Sequence, residues 1–211
     1  MLNNLTKRWL FFVTGLIILS FGISLMVKGQ TLGLGSWDVL HLALTNKIGF
    51  TMGIWSMIVG FIIISVSWLI TKERPKLGVF VNMFSCGIFI DYFNSILPEV
   101  KSFPAQLFVY LLGVAILSFG IAFYISPDLG AGPRDSLMLL IVDKTPLSLR
   151  MTRNLLELFA VVLGFLLGGP VGLGTVLVVT MLGTFIQWML PITTALLNAF
   201  LTGEVIEPSS H

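Results

Sequence analysis

Few residues in this sequence are equipped for chemistry, and the most regular of them form two copies of one short element. Leu32-Gly33-Leu34-Gly35-Ser36-Trp37-Asp38 is echoed by Leu129-Gly130-Ala131-Gly132-Pro133-Arg134-Asp135. Paired glycines let a chain bend sharply, and Ser36 and Pro133 suit the start of a helix. Asp38 and Asp135 then fall in a first helical turn, where a carboxylate accepts backbone N–H groups and complements the dipole. The plainer reading is a glycine hinge followed by a capped half-helix. The functional reading is a solute site, formed where the two elements meet around a water-filled cavity that tolerates non-helical backbone. A carboxylate in each copy favours a cation, a proton or an amine over a simple anion. Gly33, Gly35, Asp38, Gly130, Gly132, Arg134 and Asp135 are the substrate-binding candidates on this reading.

Arg134 has no basic counterpart, because Trp37 holds the matched position. It either pairs with Asp38 across the two copies or, the favoured reading for a loop arginine, snorkels to lipid headgroups. Glu157 is the eighth candidate. Arg150, Arg153, Asn154 and Glu157 share one helical face, and an i, i+4 pair of Arg153 with Glu157 offsets the cost of a carboxylate in a span. Asp91 reads as solvated at an interface, and Asn82 as an interhelical hydrogen-bonding group. His41 and His211 are the only histidines and Cys86 the only cysteine, so no cluster suits zinc. The spacing of Asp, His and Ser suggests no catalytic triad, and the G-x-G lacks the βαβ unit of a nucleotide site.

The elements that must position these residues are set by composition. Apolar residues make up 56% of the 211 positions and charged residues 10%. An ordinary soluble domain carries roughly 25% charged residues, so the chain is a membrane protein. Apolar runs at 10–27, 52–71, 77–97, 106–125, 148–168 and 171–190 are each long enough to span, since a crossing takes about 20 residues. Pieces at 36–46 and 133–143 are too short to cross. Beyond Pro191, residues 192–202 suit a short interfacial helix. No loop has room for a catalytic domain.

The repeat extends beyond the glycine element. Leu19-Ser20-Phe21-Gly22-Ile23 recurs as Leu117-Ser118-Phe119-Gly120-Ile121, and Phe89-Ile90-Asp91-Tyr92 is echoed by Phe185-Ile186-Gln187-Trp188. The offset drifts only from 98 to 96. Two units follow, 1–98 and 99–202, each with three spans and a half-helix, and then a polar tail, 203–211. Charge fixes their sense. With six crossings and the N-terminus inside, nine basic residues fall inside (Lys7, Arg8, Lys72, Arg74, Lys76, Arg134, Lys144, Arg150, Arg153) and three outside (Lys28, Lys47, Lys101). That bias follows the positive-inside rule. Three crossings per unit give an inverted repeat, the organisation of many secondary transporters.

The Leu-Ser-Phe-Gly-Ile spans and the two Gly-x-Gly-x-x-Asp turns together resemble the YczE/YyaS/YitT group of bacterial inner-membrane proteins, most closely the YczE branch. The resemblance implies a multipass protein of the bacterial cell membrane and supplies no activity. The expected fold is an all-α polytopic bundle of about six transmembrane helices, an inverted 3+3 repeat with two glycine-broken half-helices. The expected function is a small transporter or permease for a cationic or polar solute, with both termini cytoplasmic. The alternative is a membrane scaffold that supports other proteins. Enzyme activity and cofactors are not expected, nor is nucleic-acid binding. The bilayer is the expected partner, with an ion or small molecule as substrate, and a homo-oligomer is compatible with the sequence.

Overall fold

The computed structural model describes residues 3–72, 74–130 and 132–203, and every regular element in them is helical. Two series of four helices follow one another. The first is α1 (Asn4–Lys28), α2 (Ser36–Ile48), α3 (Met52–Thr71) and α4 (Leu77–Ile96). The second is α5 (Phe103–Ile125), α6 (Pro133–Lys144), α7 (Leu149–Leu166) and α8 (Leu173–Thr202). In each series a long helix is followed by a short one and two more long ones, as the repeat requires. Among the described residues, α1, α3, α4, α5 and α8 are long and apolar enough to cross a membrane. The expected span at 148–168 forms α7, an 18-residue helix that includes Arg150, Arg153 and Glu157. The fold is a polytopic helical membrane bundle.

One expectation fails at the C-terminal end. Residues 192–202 are not a separate interfacial helix, because α8 runs through Pro191 to Thr202. Past the proline, Thr193 Oγ1 lies 2.8 Å from Ser126 Oγ and 3.1 Å from the Ala122 carbonyl. These contacts hold the distal part of α8 against α5, and such neighbours are what let a membrane helix tolerate proline. At the end of α8, Lys7 Nζ donates to the carbonyls of Phe200 (2.9 Å) and Leu201 (3.0 Å). A cation there satisfies orphan carbonyls and complements the dipole. The start of α1 and the end of α8 therefore lie at one face of the bundle. Residues 204–211, most of the expected tail, lie outside the described residues.

The centre of the bundle is the crossing of α1 and α5. Lipid offers as apolar an environment as a neighbouring helix, so close packing rather than burial drives association. Glycine permits that closeness. A Cβ on Gly15 would stand 2.5 Å from Tyr124 N, and one on Gly22 would stand 2.5 Å from Leu117 N. On α5, Gly113 lies against Met26 and Gly120 against Leu19. As the α1 residue number rises through 15, 19, 22 and 26, its partner falls through 124, 120, 117 and 113, so the two helices run antiparallel. Each contact is also the exchange of another. Gly22 on Leu117 and Gly120 on Leu19 are the same repeat positions with the two copies swapped.

That exchange extends to the rest of the fold. α1 packs on α4 as α5 packs on α8; α2 packs on α7 as α6 packs on α3; α2 meets α3 as α6 meets α7. The half-helix of each series is thus seated on the third helix of the other. Gly164 and Gly169 of the second series make the first of these seats, since a Cβ on either would meet the backbone of Leu40 or Val39.

Candidate functional site

The first glycine of each element has a positive φ. Gly33 has φ 98° and Gly130 has φ 134°, left-handed values that a side chain would strain. The second glycines do not need this freedom: Gly35 and Gly132 have φ −60° and −59° and serve as N-caps of α2 and α6. Their requirement is space. A Cβ on Gly35 would stand 2.8 Å from Asp38 Oδ2, and one on Gly132 would stand 3.1 Å from Asn82 Oδ1. Ala131 lies outside the described residues.

Each turn is held by the opposite series. Thr175 Oγ1, at the start of α8, accepts the N–H groups of Leu34 (3.0 Å) and Gly172 (3.3 Å). Gly174 would carry a Cβ 2.7 Å from the Leu32 carbonyl, and its repeat partner Gly78 abuts the carbonyl of Leu129. The first turns of α8 and α4 therefore serve as platforms for the two bends.

So positioned, the N-terminal ends of α2 and α6 open onto one cavity of about 140 Å³. Gly35, Ser36, Trp37 and Asp38 line it from α2, and their matched residues Gly132, Pro133, Arg134 and Asp135 line it from α6. Arg153 and Glu157 reach it from α7, and Asn82 and Cys86 from α4. Six of the eight candidates thus come together. Gly33 and Gly130 do not line the cavity; they set the bends that aim the half-helices at it.

Three sequence readings need correction. Among the described residues no ion pair joins Arg134 to Asp38; its guanidinium stands 5.0 Å from the centroid of the Trp37 ring, in the cavity wall. A planar cation gains by stacking on an indole. Among the described residues no ion pair joins Arg153 to Glu157; both face the cavity instead, and the Arg150 side chain lies outside the described part. Asp91 is not merely solvated. Its Oδ1 accepts the Gly53 N–H at 2.8 Å and its other oxygen accepts the Thr51 hydroxyl, so it holds the start of α3.

The two matched aspartates are inequivalent. Asp135 Oδ2 accepts the Tyr124 hydroxyl at 2.8 Å. Asp38 is buried and its Oδ1 has no hydrogen-bond partner, and the same is true of Ser36 Oγ and both ring nitrogens of His41. His41 Nδ1 lies 4.0 Å from Asp38 Oδ1, too far for a hydrogen bond. The capped-helix reading is therefore not realised at Asp38, and neither half-helix has a side-chain cap. Sequence reasoning set His41 aside and did not reach Tyr124. The three-residue step from Asp38 to His41 was a signal for the first, since it puts both on one face. Tyr124 carried none, because its hydrogen bond depends on the bend at Gly130.

Comparison with known proteins places the chain without supplying an activity. Residues 6–191 match the Family of unknown function DUF6198. The chain is 42% identical to the uncharacterized membrane protein YczE of Bacillus subtilis (strain 168), over 94% of this chain and 92% of that one. It is 35% identical to an uncharacterized protein of Haemophilus influenzae over 89% of this chain and 88% of the other. YyaS, an uncharacterized protein of Bacillus subtilis (strain 168), is 29% identical over 88% of this chain and 93% of its own length. No solved structure matches. The resemblance to the YczE branch is borne out.

Proposed function

The chain belongs to the DUF6198 family, and we propose that it is a small cell-membrane transporter for a cationic or polar solute, built as an inverted repeat. The observation that carries this reading is the single cavity onto which matched residues of two half-helices open. Discontinuous helices that aim their N-terminal ends at a shared site are a recurring way to bind solute within a membrane. The antiparallel crossing of α1 and α5 supports the inverted arrangement. So does the distribution of basic residues, which favours both termini in the cytoplasm.

The lining sets limits on the solute. Asp38, Asp135 and Glu157 line the cavity together with Arg134 and Arg153, a net excess of one carboxylate. Asp38 has an unsatisfied oxygen to offer, which suits a positively charged or N–H-bearing solute. An apolar cavity of roughly 150 Å³ accommodates benzene, so a cavity of about 140 Å³ suits a solute of that size.

The test is flux into liposomes containing the purified protein, over a panel of small inorganic cations and amines. Asp38→Asn is expected to lower flux at least tenfold. Absence of flux across the panel, in protein with the native melting temperature, would reject transport.

A further inference from the structure

The cavity holds charges of both signs that do not pair with one another. Arg134 and Arg153 line it with Asp38, Asp135 and Glu157. Among the described residues, however, no ion pair joins a guanidinium to a carboxylate. Asp135 is taken by the Tyr124 hydroxyl. Asp38 lies within Coulombic range of both Arg134 and Glu157. A charge withdrawn from water without a partner is costly, so opposite charges held apart in one enclosure call for a third group between them.

The polar atoms left over form two poles. The first is on α2, where Ser36 Oγ, Asp38 Oδ1 and both ring nitrogens of His41 are buried without hydrogen-bond partners. All three residues line the cavity, and they are only 2%, 4% and 1% exposed. A hydroxyl, a carboxylate and a neutral imidazole each offer an acceptor, and an ammonium has three N–H groups to give. His41 Nδ1 and Asp38 Oδ1 stand 4.0 Å apart, a gap that one ammonium nitrogen spans at about 2.8 Å from each. The second pole is on α6 and α7. Arg134 lies over the Trp37 ring, which leaves the N–H edge of its guanidinium free for a carboxylate. α6 begins at Pro133 with no side-chain cap, so its first turn presents the positive end of the helix dipole. Arg153 adds a second guanidinium to the same wall.

We propose that the cavity binds a small zwitterion, an amino acid whose ammonium sits beside Asp38, Ser36 and His41 and whose carboxylate sits between Arg134 and the start of α6. Each end of such a molecule answers one pole, and neither a bare cation nor a bare anion answers both. The cavity of about 140 Å³ suits about six non-hydrogen atoms, on the scale of benzene, which is the size of alanine or β-alanine. This class of solute rests on the transport reading for its fate, whereas its binding is measured without any flux.

The test is isothermal titration calorimetry of the full chain in detergent, at constant ionic strength, with L-alanine, β-alanine, methylammonium and acetate as probes. One or both amino acids are expected to bind at least tenfold more tightly than methylammonium and than acetate. Methylammonium within tenfold of the better amino acid would make this a simple cation site, and acetate within tenfold a simple anion site. Either result overturns the proposal, as does the absence of amino-acid binding at millimolar concentration. Asp38→Asn and Arg134→Gln, in protein with a cooperative melting transition, are each expected to weaken the amino acid at least tenfold; an unchanged affinity in either overturns the assignment. The two readings fail separately. Flux of methylammonium without amino-acid binding rejects the zwitterion and keeps transport, whereas binding without flux of any probe keeps the zwitterion site and rejects transport.

Discussion

The guanidinium of Arg134 stands 5.0 Å from the ring centroid of Trp37, and the two residues occupy the same position in the two copies of the repeat. Equivalent residues meet only where the relation between the copies passes through the molecule, so this contact marks the junction of the half-helices. A cation on indole is worth about 0.5–2 kcal/mol, depending on desolvation. A double-mutant cycle of Arg134→Gln and Trp37→Leu, read by denaturation in detergent, is expected to give a coupling in that range. Additive effects would reject the contact.

The two matched aspartates should respond in opposite directions. Asp38 is buried with an unpartnered oxygen, an arrangement that costs stability. Asp38→Asn is therefore expected to leave the melting temperature unchanged or to raise it while flux falls. Asp135→Leu leaves the Tyr124 hydroxyl without its acceptor, which costs about 1–3 kcal/mol. Equal effects on thermal melting would contradict the inequivalence.

Thr175 joins the start of α8 to the first glycine turn by accepting the Leu34 N–H, and it also accepts the N–H of Gly172, the N-cap of its own helix. Thr175→Val keeps the shape and removes the acceptor, and a buried donor left unpaired costs about 1–3 kcal/mol. Thr175→Ser should recover most of the loss. The midpoint of chemical denaturation checks both.

The closeness of α1 and α5 predicts a sharp contrast between glycines. A Cβ on Gly22 would collide with the Leu117 backbone, which cannot rotate away as a side chain can. Gly22→Leu is expected to destabilise by at least the roughly 1–3 kcal/mol typical of overpacking. Gly183→Ala meets nothing and gains up to about 1 kcal/mol of helix propensity. Melting temperatures that move together would remove the argument.

Much of the fold was written in local patterns. The runs of apolar residues and their breakers located all eight helices, because span length and glycine or proline punctuation act along the chain, although α1 starts six residues before its expected span and α8 runs on to Thr202. The repeat offset also anticipated the order of helices in each series, one long, one short and two long. The repeated glycine element singled out five residues that line the cavity, and the rule that an ionisable group in a span is costly singled out Glu157. Pro191 is where such local reading misled, since a proline ends a helix only if no neighbour holds the next turn, and Ser126 and Ala122 do.

What tertiary structure decided is how each polar side chain is satisfied. Spacing made Arg153 and Glu157 a pair and sent Arg134 to the headgroups; the fold turned all three to the cavity, with Arg134 on Trp37. Nothing in the matched aspartates distinguished them. Tyr124 reaches Asp135 and no hydroxyl reaches Asp38, because the repeat puts Met26 where the other copy has Tyr124. The physical reason is range. Helix formation and membrane insertion follow from neighbours a few positions apart, whereas a hydrogen bond or a stacked cation depends on distances of a few ångström between residues brought together by packing. Sequence determined the parts and their repetition, and packing chose which copy keeps an unsatisfied carboxylate.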